Sequence, residues 1–168
     1  RRDKGRSGVL GRGMRVLPVS PQDMADIYDI LTELESLAAE RAASHGYSAA
    51  DLGTLRQSID RMDAALARGD RAAWALADDE FHAELVRLGG NGRMAVIVAM
   101  MVDQVRRARA VTLHMRPLPL RSNEDHRKVH DAVLHGQPRE ARRLHHAHRS
   151  EARAMLIALL EQYRLSRL

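Results

Sequence analysis

The chain has 168 residues, no cysteine, few aromatic residues and a formal net charge of +5. Its length suits one domain with a substantial hydrophobic core, and the absence of cysteine excludes disulfides and thiolate metal sites. Residues 1–20 carry six basic residues and one acidic residue, so the rest of the chain is balanced in charge and lacks a nucleic-acid-binding footprint.

The N-terminal residues 1–19 are predicted to be a short non-helical arm, separate from a helical domain over 20–168. Val9–Leu10 and Met14–Leu17 flank a Gly-Arg-Gly turn, a pattern that favours a small hairpin. No apolar run reaches the ~20 residues that a membrane span needs, and no signal-peptide core is present. We therefore expect a cytoplasmic protein.

Six helices are predicted from capping residues, from stop glycines and from apolar residues at helical spacing. In chain order they cover about 21–45, 49–68, 70–88, 91–114, 122–135 and 138–164. The fourth is apolar nearly all round in its first half, which predicts a central position. Because the connections are short, we expect sequential neighbours to pack antiparallel in an all-α bundle of six helices.

Four polar side chains are predicted to lie on apolar helix faces. Asp78 and His82 are four residues apart on the third helix, so they share one face. His126 on the fifth helix and His148 on the sixth also lie on apolar faces. An ionised aspartate in a core is costly unless it is paired or binds a metal.

One carboxylate and three imidazoles on three helices are ligands for a first-row divalent metal such as zinc, nickel or manganese. Each residue also has a simpler interpretation, since a single histidine can be a hydrogen-bonded core residue and Asp78 can pair with an arginine. The coincidence of all four favours the metal. The other histidines of this region are predicted to be mainly solvated: His130, His135, His145 and His146.

Candidate contacts for an anionic ligand come from the fourth helix and its cap. Arg106, Arg107 and Arg109 are interpreted as a solvated or interface cluster, with the alternative that Arg106 or Arg109 reaches inward to an anion. Asn91 is a further candidate. A metal-dependent hydrolase or lyase is the competing function, and its general base would have to be Asp79 or Glu80. A metal-free sensor or dimerisation module is a third possibility.

These motifs resemble the FadR C-terminal (FCD) effector-binding domain of GntR-family bacterial transcription regulators. Residues 78–82 with Leu85 and Gly90-Asn91 resemble its D-x-x-F-H-x-x-L…(G/S)-N signature. Residues 122–132 resemble its S-x-x-E-H-x-x-I-x-x-A segment, and Gly136, Ala141 and His148 its final stretch. Leu34-Glu35-x-x-Ala38-Ala39 resembles the first helix of the domain.

The resemblance implies a bundle of six or seven helices that binds a metal through Asp78, His82, His126 and His148. It also implies a homodimer, a small organic acid as effector, no enzymatic activity, and an N-terminal winged helix-turn-helix that binds operator DNA. Residues 11–16 look like the end of its wing, which makes Arg12 and Arg15 candidate DNA contacts. One departure is Leu31, because many members carry an effector-facing arginine there.

Overall fold

The computed structural model describes residues 20–165, which form an all-α bundle. Its helices are α1 (Pro21–Ser44), α2 (Gly53–Ala67), α3 (Arg71–Leu88), α4 (Gly92–Thr112), α5 (Leu120–Leu134) and α6 (Pro138–Gln162). The predicted fold class is therefore confirmed for this part of the chain. The predicted arm, with Arg12 and Arg15, lies outside the described residues. Among the helices described, none is long and apolar enough to cross a membrane.

Side-chain caps begin three of the helices where the sequence predicts them. The side chains of Ser20, Asp70 and Asn91 accept hydrogen bonds from the backbone N–H groups that open α1, α3 and α4. Two predicted starts are wrong. Ser48 and Asp51 bond each other in a turn before α2. Helix α5 begins at Leu120, because the carbonyl of Pro119 accepts a hydrogen bond from the N–H of Asn123 at 3.3 Å.

Only some sequential helices pack against each other. Helices α2 and α3 form one hairpin and α5 and α6 another, and both turns contain a glycine with positive φ, Gly69 at 66° and Gly136 at 61°. No contact of note joins α1 to α2 or α4 to α5. The expectation that all sequential neighbours pack together is thus wrong at two of the five connections.

Helix α1, rather than α4, is the central helix of the described bundle. It contacts α3, α4, α5 and α6, and its contact with α6 is the most extensive in the fold. Buried alanines of α1 allow this close packing. Helix α4 lies at the periphery, because Val96, Ile97 and Met100 are exposed on it.

Two apolar clusters make up the core, and polar residues lie between them along α1 and α6. The first cluster joins α2, α3 and α5 to the end of α1, and the second joins α4 to the start of α1 and the end of α6. Glu35 lies between Leu31 and Ala39 on α1. His145, His148 and Arg149 occupy the corresponding part of α6. The core therefore contains a buried polar layer.

Candidate metal centre

The four predicted ligands meet in this polar layer. Their donor atoms lie within 4.8 Å of one another, and all four residues are buried. The Nε2 atoms of His126 and His148 are 3.2 Å apart. Asp78 Oδ1 lies 3.4 Å from His126 Nε2 and 3.7 Å from His82 Nε2. Three helices thus bring four donor atoms to one point.

These separations fit a single metal ion. Ligands to zinc and its neighbours bind at about 2.0–2.2 Å, and adjacent ligands at that radius are about 3.0–3.4 Å apart. The nitrogen–nitrogen and oxygen–nitrogen distances around His126 lie in this range. Imidazole nitrogen and carboxylate oxygen suit zinc, nickel and manganese. The residues present therefore fit a divalent transition metal.

The protonation of the site also suits metal ligation. Burial lowers the pKa of His82 and His126 well below the usual value, so both imidazoles are neutral. Burial opposes ionisation of Asp78, but the positive charge of Arg109 keeps its pKa far below the usual range. Ionised carboxylate and neutral imidazole are the forms that bind metals.

Arg109 joins this site to the acidic residue beside it. Its guanidinium contacts Asp78 Oδ2 at 2.7 Å and Asp79 Oδ1 at 3.0 Å, and it lies over the ring of Trp74. Because Oδ2 is bound by Arg109, only Oδ1 of Asp78 faces the histidines. Arg106 also pairs with Asp79, at 2.8 Å, and is half exposed.

The two general bases that an enzyme would need here are already engaged. Asp79 binds Arg106 and Arg109, and Glu80 pairs with Arg61 on the surface. Neither carboxylate is held against the donor atoms of the site. Neither of these two predicted candidates is therefore placed as a general base at the site.

A second buried group, which the sequence prediction missed, contacts the other side of His82. His82 Nδ1 lies 3.1 Å from Glu35 Oε2 and 3.2 Å from His145 Nε2. Arg149 pairs with the second oxygen of Glu35 and lies over the ring of Tyr28. Glu35, His82 and His145 resemble a second metal triad, but Arg149 already compensates the charge of Glu35. We interpret this group as an outer shell that orients His82.

Two of the four histidines predicted to be solvated are buried. His145 is fully buried and His130 is 7% exposed, whereas His135 and His146 lie at the surface. The prediction for His145 is wrong because positions 145, 148 and 149 share one helical face through spacings of three and four. The signal was present in the sequence, since only His146 of this tract faces away.

The candidate effector contacts are placed differently from one another. Asn91 caps α4, with its side-chain oxygen 3.1 Å from the N–H groups of Arg93 and Met94. Arg106 lies beside Asp79, and neither Asn91 nor Arg106 lines the cavity that adjoins the ligand set. Arg109 does line it. Leu31 is fully buried in the second apolar cluster, so this position offers no charge to a ligand.

A cavity of about 310 Å³ opens onto the ligand set. Asp78, His82 and His148 form part of its wall, and the connection between α4 and α5 forms another part. Its apolar lining comes from side chains of several helices and of the connection: Tyr28, Trp74, Leu113, Leu118 and Met155. Arg71 holds the connection in place by donating to the carbonyl of Arg116 at 2.9 Å.

Comparison with known proteins gives both relatives and a structural neighbour. The chain is 38% identical over 77 residues to an uncharacterized HTH-type transcriptional regulator in the TAR-I ttuE-ttuC' intergenic region of Agrobacterium vitis, covering 45% of each chain. It is 28% identical over 126 residues to a probable D-xylose utilization operon transcriptional repressor of Paenarthrobacter nicotinovorans, covering 75% of this chain and 54% of that one. The chain thus spans about half the length of these curated relatives.

Streptococcus agalactiae GntR has a similar fold, with a TM-score of 0.67 and 22% sequence identity. The match covers 80% of this chain and 59% of that one. At this identity the likeness concerns the fold alone.

The described part of the chain is thus a helical bundle with a buried carboxylate–imidazole cluster beside a cavity. The FCD domain family matches residues 26–151, so the chain belongs to that family. This confirms the family that the sequence motifs predicted. Both curated relatives are named as regulators of transcription rather than as enzymes, in agreement with the expected absence of enzymatic activity.

Proposed function

We propose that this chain is the effector-binding part of a GntR-type transcription regulator. In this proposal Asp78, His82, His126 and His148 hold a divalent transition metal, and the metal anchors a small organic acid in the adjoining cavity. The observation that carries the proposal is the convergence of four buried donor atoms from three helices beside that cavity. The bound ion would supply a positive charge to which a carboxylate can bind.

The regulatory part of the proposal concerns the whole protein. An N-terminal winged helix-turn-helix would bind operator DNA in the cytoplasm, with Arg12 and Arg15 at the end of its wing. The names of the two curated relatives and the basic N-terminal arm support this role. Ligand binding would act by favouring one arrangement of paired domains over another, which requires different affinities for the two arrangements.

The site itself supplies a route for such coupling. The connection between α4 and α5 lines the cavity and is tied to α3 by Arg71. A ligand that contacts this connection also contacts the end of α4, the helix with the exposed apolar face. Occupancy of the cavity and the position of α4 would therefore depend on each other.

Substitution His126→Ala tests the metal site. We expect metal affinity to fall by more than about 100-fold, since loss of even an outer-shell partner commonly costs 10- to 100-fold. Metal content per chain is measured by elemental analysis after equilibration with zinc, nickel or manganese. Metal at about 100 times its Kd should stabilise the wild type by roughly 2.7 kcal/mol, and the variant should lose this effect.

His146→Ala is the matched control, because His146 lies on α6 beside the ligand His148 but is exposed. The control should bind metal like the wild type. Equal metal content in wild type and His126→Ala would contradict the proposed site. If the wild type bound metal and both variants lost it to the same extent, the metal site would have to be placed at the surface, near His146.

A further inference from the structure

Five arginines line the cavity, and four of them already have partners. Arg109 binds Asp78 and Asp79, Arg121 binds Glu151, Arg149 binds Glu35, and Arg71 donates to backbone carbonyls of the connection. The fifth is Arg116. Its Nε and Nη2 donate only to the hydroxyl of Thr112, at 3.1 and 2.9 Å. Among residues 20–165, no carboxylate forms an ion pair with Arg116.

Arg71 and Arg116 are thus the two cavity arginines without a carboxylate partner among residues 20–165, and Arg71 is bound to the carbonyls of the connection. Burial, together with the neighbouring charge of Arg109, lowers the pKa of Arg116 to about 10. A partly buried guanidinium with one neutral acceptor has unused donors, and a planar carboxylate matches their geometry. An anion in the cavity would satisfy those donors and restore the balance of charge.

The cavity wall combines the ligand residues, Arg116 and apolar side chains. Asp78, His82 and His148 mark the metal end, and Arg116 lies on the connection between α4 and α5. Trp74 and Met155 belong to the lining as well. A volume of about 310 Å³ is at the small end of ligand pockets, so the occupant is a small molecule.

We infer that the ligand is a small dicarboxylate, with one carboxylate at the metal and the other on Arg116. This inference rests on the function proposed above and deepens it. Arg116 then determines specificity by supplying a positive charge from the connection between α4 and α5. The apolar lining contacts the carbon chain between the two carboxylates.

Binding of matched acids to the metal-loaded protein tests this assignment. The dicarboxylates malonate, succinate and glutarate are compared with propionate, butyrate and valerate by calorimetry. We expect at least one dicarboxylate to bind about 10- to 100-fold more tightly than the monocarboxylate of equal carbon number, the range for a charge-assisted pair. Arg116→Gln should abolish this preference and leave monocarboxylate affinity unchanged, and Arg116→Lys should restore part of it.

Arg121→Gln is the control, because Arg121 lines the same cavity but is paired with Glu151. It should keep the preference. Equal affinities for all matched pairs, or a preference that survives Arg116→Gln, would overturn the inference while leaving the metal site intact. If the metal-free protein binds the dicarboxylate and Arg116→Gln abolishes this binding, the role of Arg116 would stand. The metal would then be rejected as the anchor of the ligand.

Discussion

His82 is the residue at which the candidate metal centre meets the second buried group, which contains Glu35, His145 and Arg149. Its Nε2 faces Asp78, and its Nδ1 faces Glu35 Oε2 at 3.1 Å and His145 Nε2 at 3.2 Å. Glu35 Oε2 makes no hydrogen bond, but its negative charge beside Nδ1 favours the tautomer that carries the His82 proton there. That tautomer leaves the lone pair of Nε2 for the metal.

Glu35→Gln should therefore weaken metal binding by about 10- to 100-fold without removing a ligand. The neutral amide supplies no charge to favour the proton on Nδ1 of His82, and it leaves Arg149 buried without an anion. Affinity is measured by competition with a chromophoric chelator. Glu33→Gln is the control, because Glu33 is exposed and pairs with Arg142 at the surface.

The double variant Glu35→Gln/Arg149→Met separates the positioning role from a structural one. Removing the unpaired guanidinium should recover most of the thermal stability lost in Glu35→Gln, because a buried unpaired charge is the main cost. Metal affinity should stay low. If affinity recovered together with stability, Glu35 would support only the fold and not the orientation of His82.

The sequence reveals the ligands more readily than the groups around them. Each ligand interrupts an apolar stripe on a predicted helix, and this misplacement can be read from spacing alone. His145 gives the same signal, at three residues from His148, but the neighbouring His146 obscures it. Arg116 gives no such signal. It lies beyond the end of α4, next to Pro117, where no helical periodicity predicts which way its side chain points.

At the scale of helices, one close approach fixes how α3 meets α1. A Cβ on Gly89, at the end of α3, would lie 2.8 Å from the Cα of Ala38 and 2.9 Å from its Cβ. The same helix end is held by Arg41 and Tyr47, which donate to the carbonyls of Gly89 and Leu88 at 2.7 and 3.0 Å. Backbone lies against backbone here, so neither helix can yield without moving the other.

Gly89→Ala should consequently destabilise the domain by about 1–3 kcal/mol, the usual cost of overpacking. Thermal denaturation should show a drop in Tm of about 2–4 °C for each kcal/mol. Gly92→Ala is the matched control, because a Cβ there meets nothing within 4 Å. Its stability should equal or exceed that of the wild type, since alanine is the better helix former. Equal Tm values for both variants would mean that α3 and α1 can separate at no cost.

The position of α4 shows what helical periodicity leaves undetermined. Its first half is apolar on several faces, which predicts a helix surrounded by others. In the structure only Met94, Val98 and Val105 among its larger apolar residues are buried in the core. Periodicity identifies the apolar faces of a helix but not what covers each face. A helix that packs on the core of its own chain with one face and on a second chain with the other has the same composition as a central helix.

For the whole molecule, the exposed face of α4 is the surface on which we expect a second copy of this chain to bind. Val96, Ile97 and Met100 are 59%, 43% and 72% exposed and lie on adjoining turns. Single exposed apolar residues are ordinary, but a contiguous group marks an interaction surface. The resemblance to FCD domains implies a homodimer, and this face fits that expectation.

Met100→Glu should convert the dimer to a monomer at micromolar concentration, because a carboxylate at the centre of an apolar contact loses hydration without gaining a partner. Sedimentation velocity measures the association state. Leu76→Glu is the control, since Leu76 is 68% exposed on α3, outside the α4 face, and its variant should remain dimeric. A wild type that is monomeric, or a dimer unaffected by Met100→Glu, would exclude this face. If the prediction holds, the helix that carries the dimer contact also ends at the cavity, so one rigid element connects the ligand to the partner subunit.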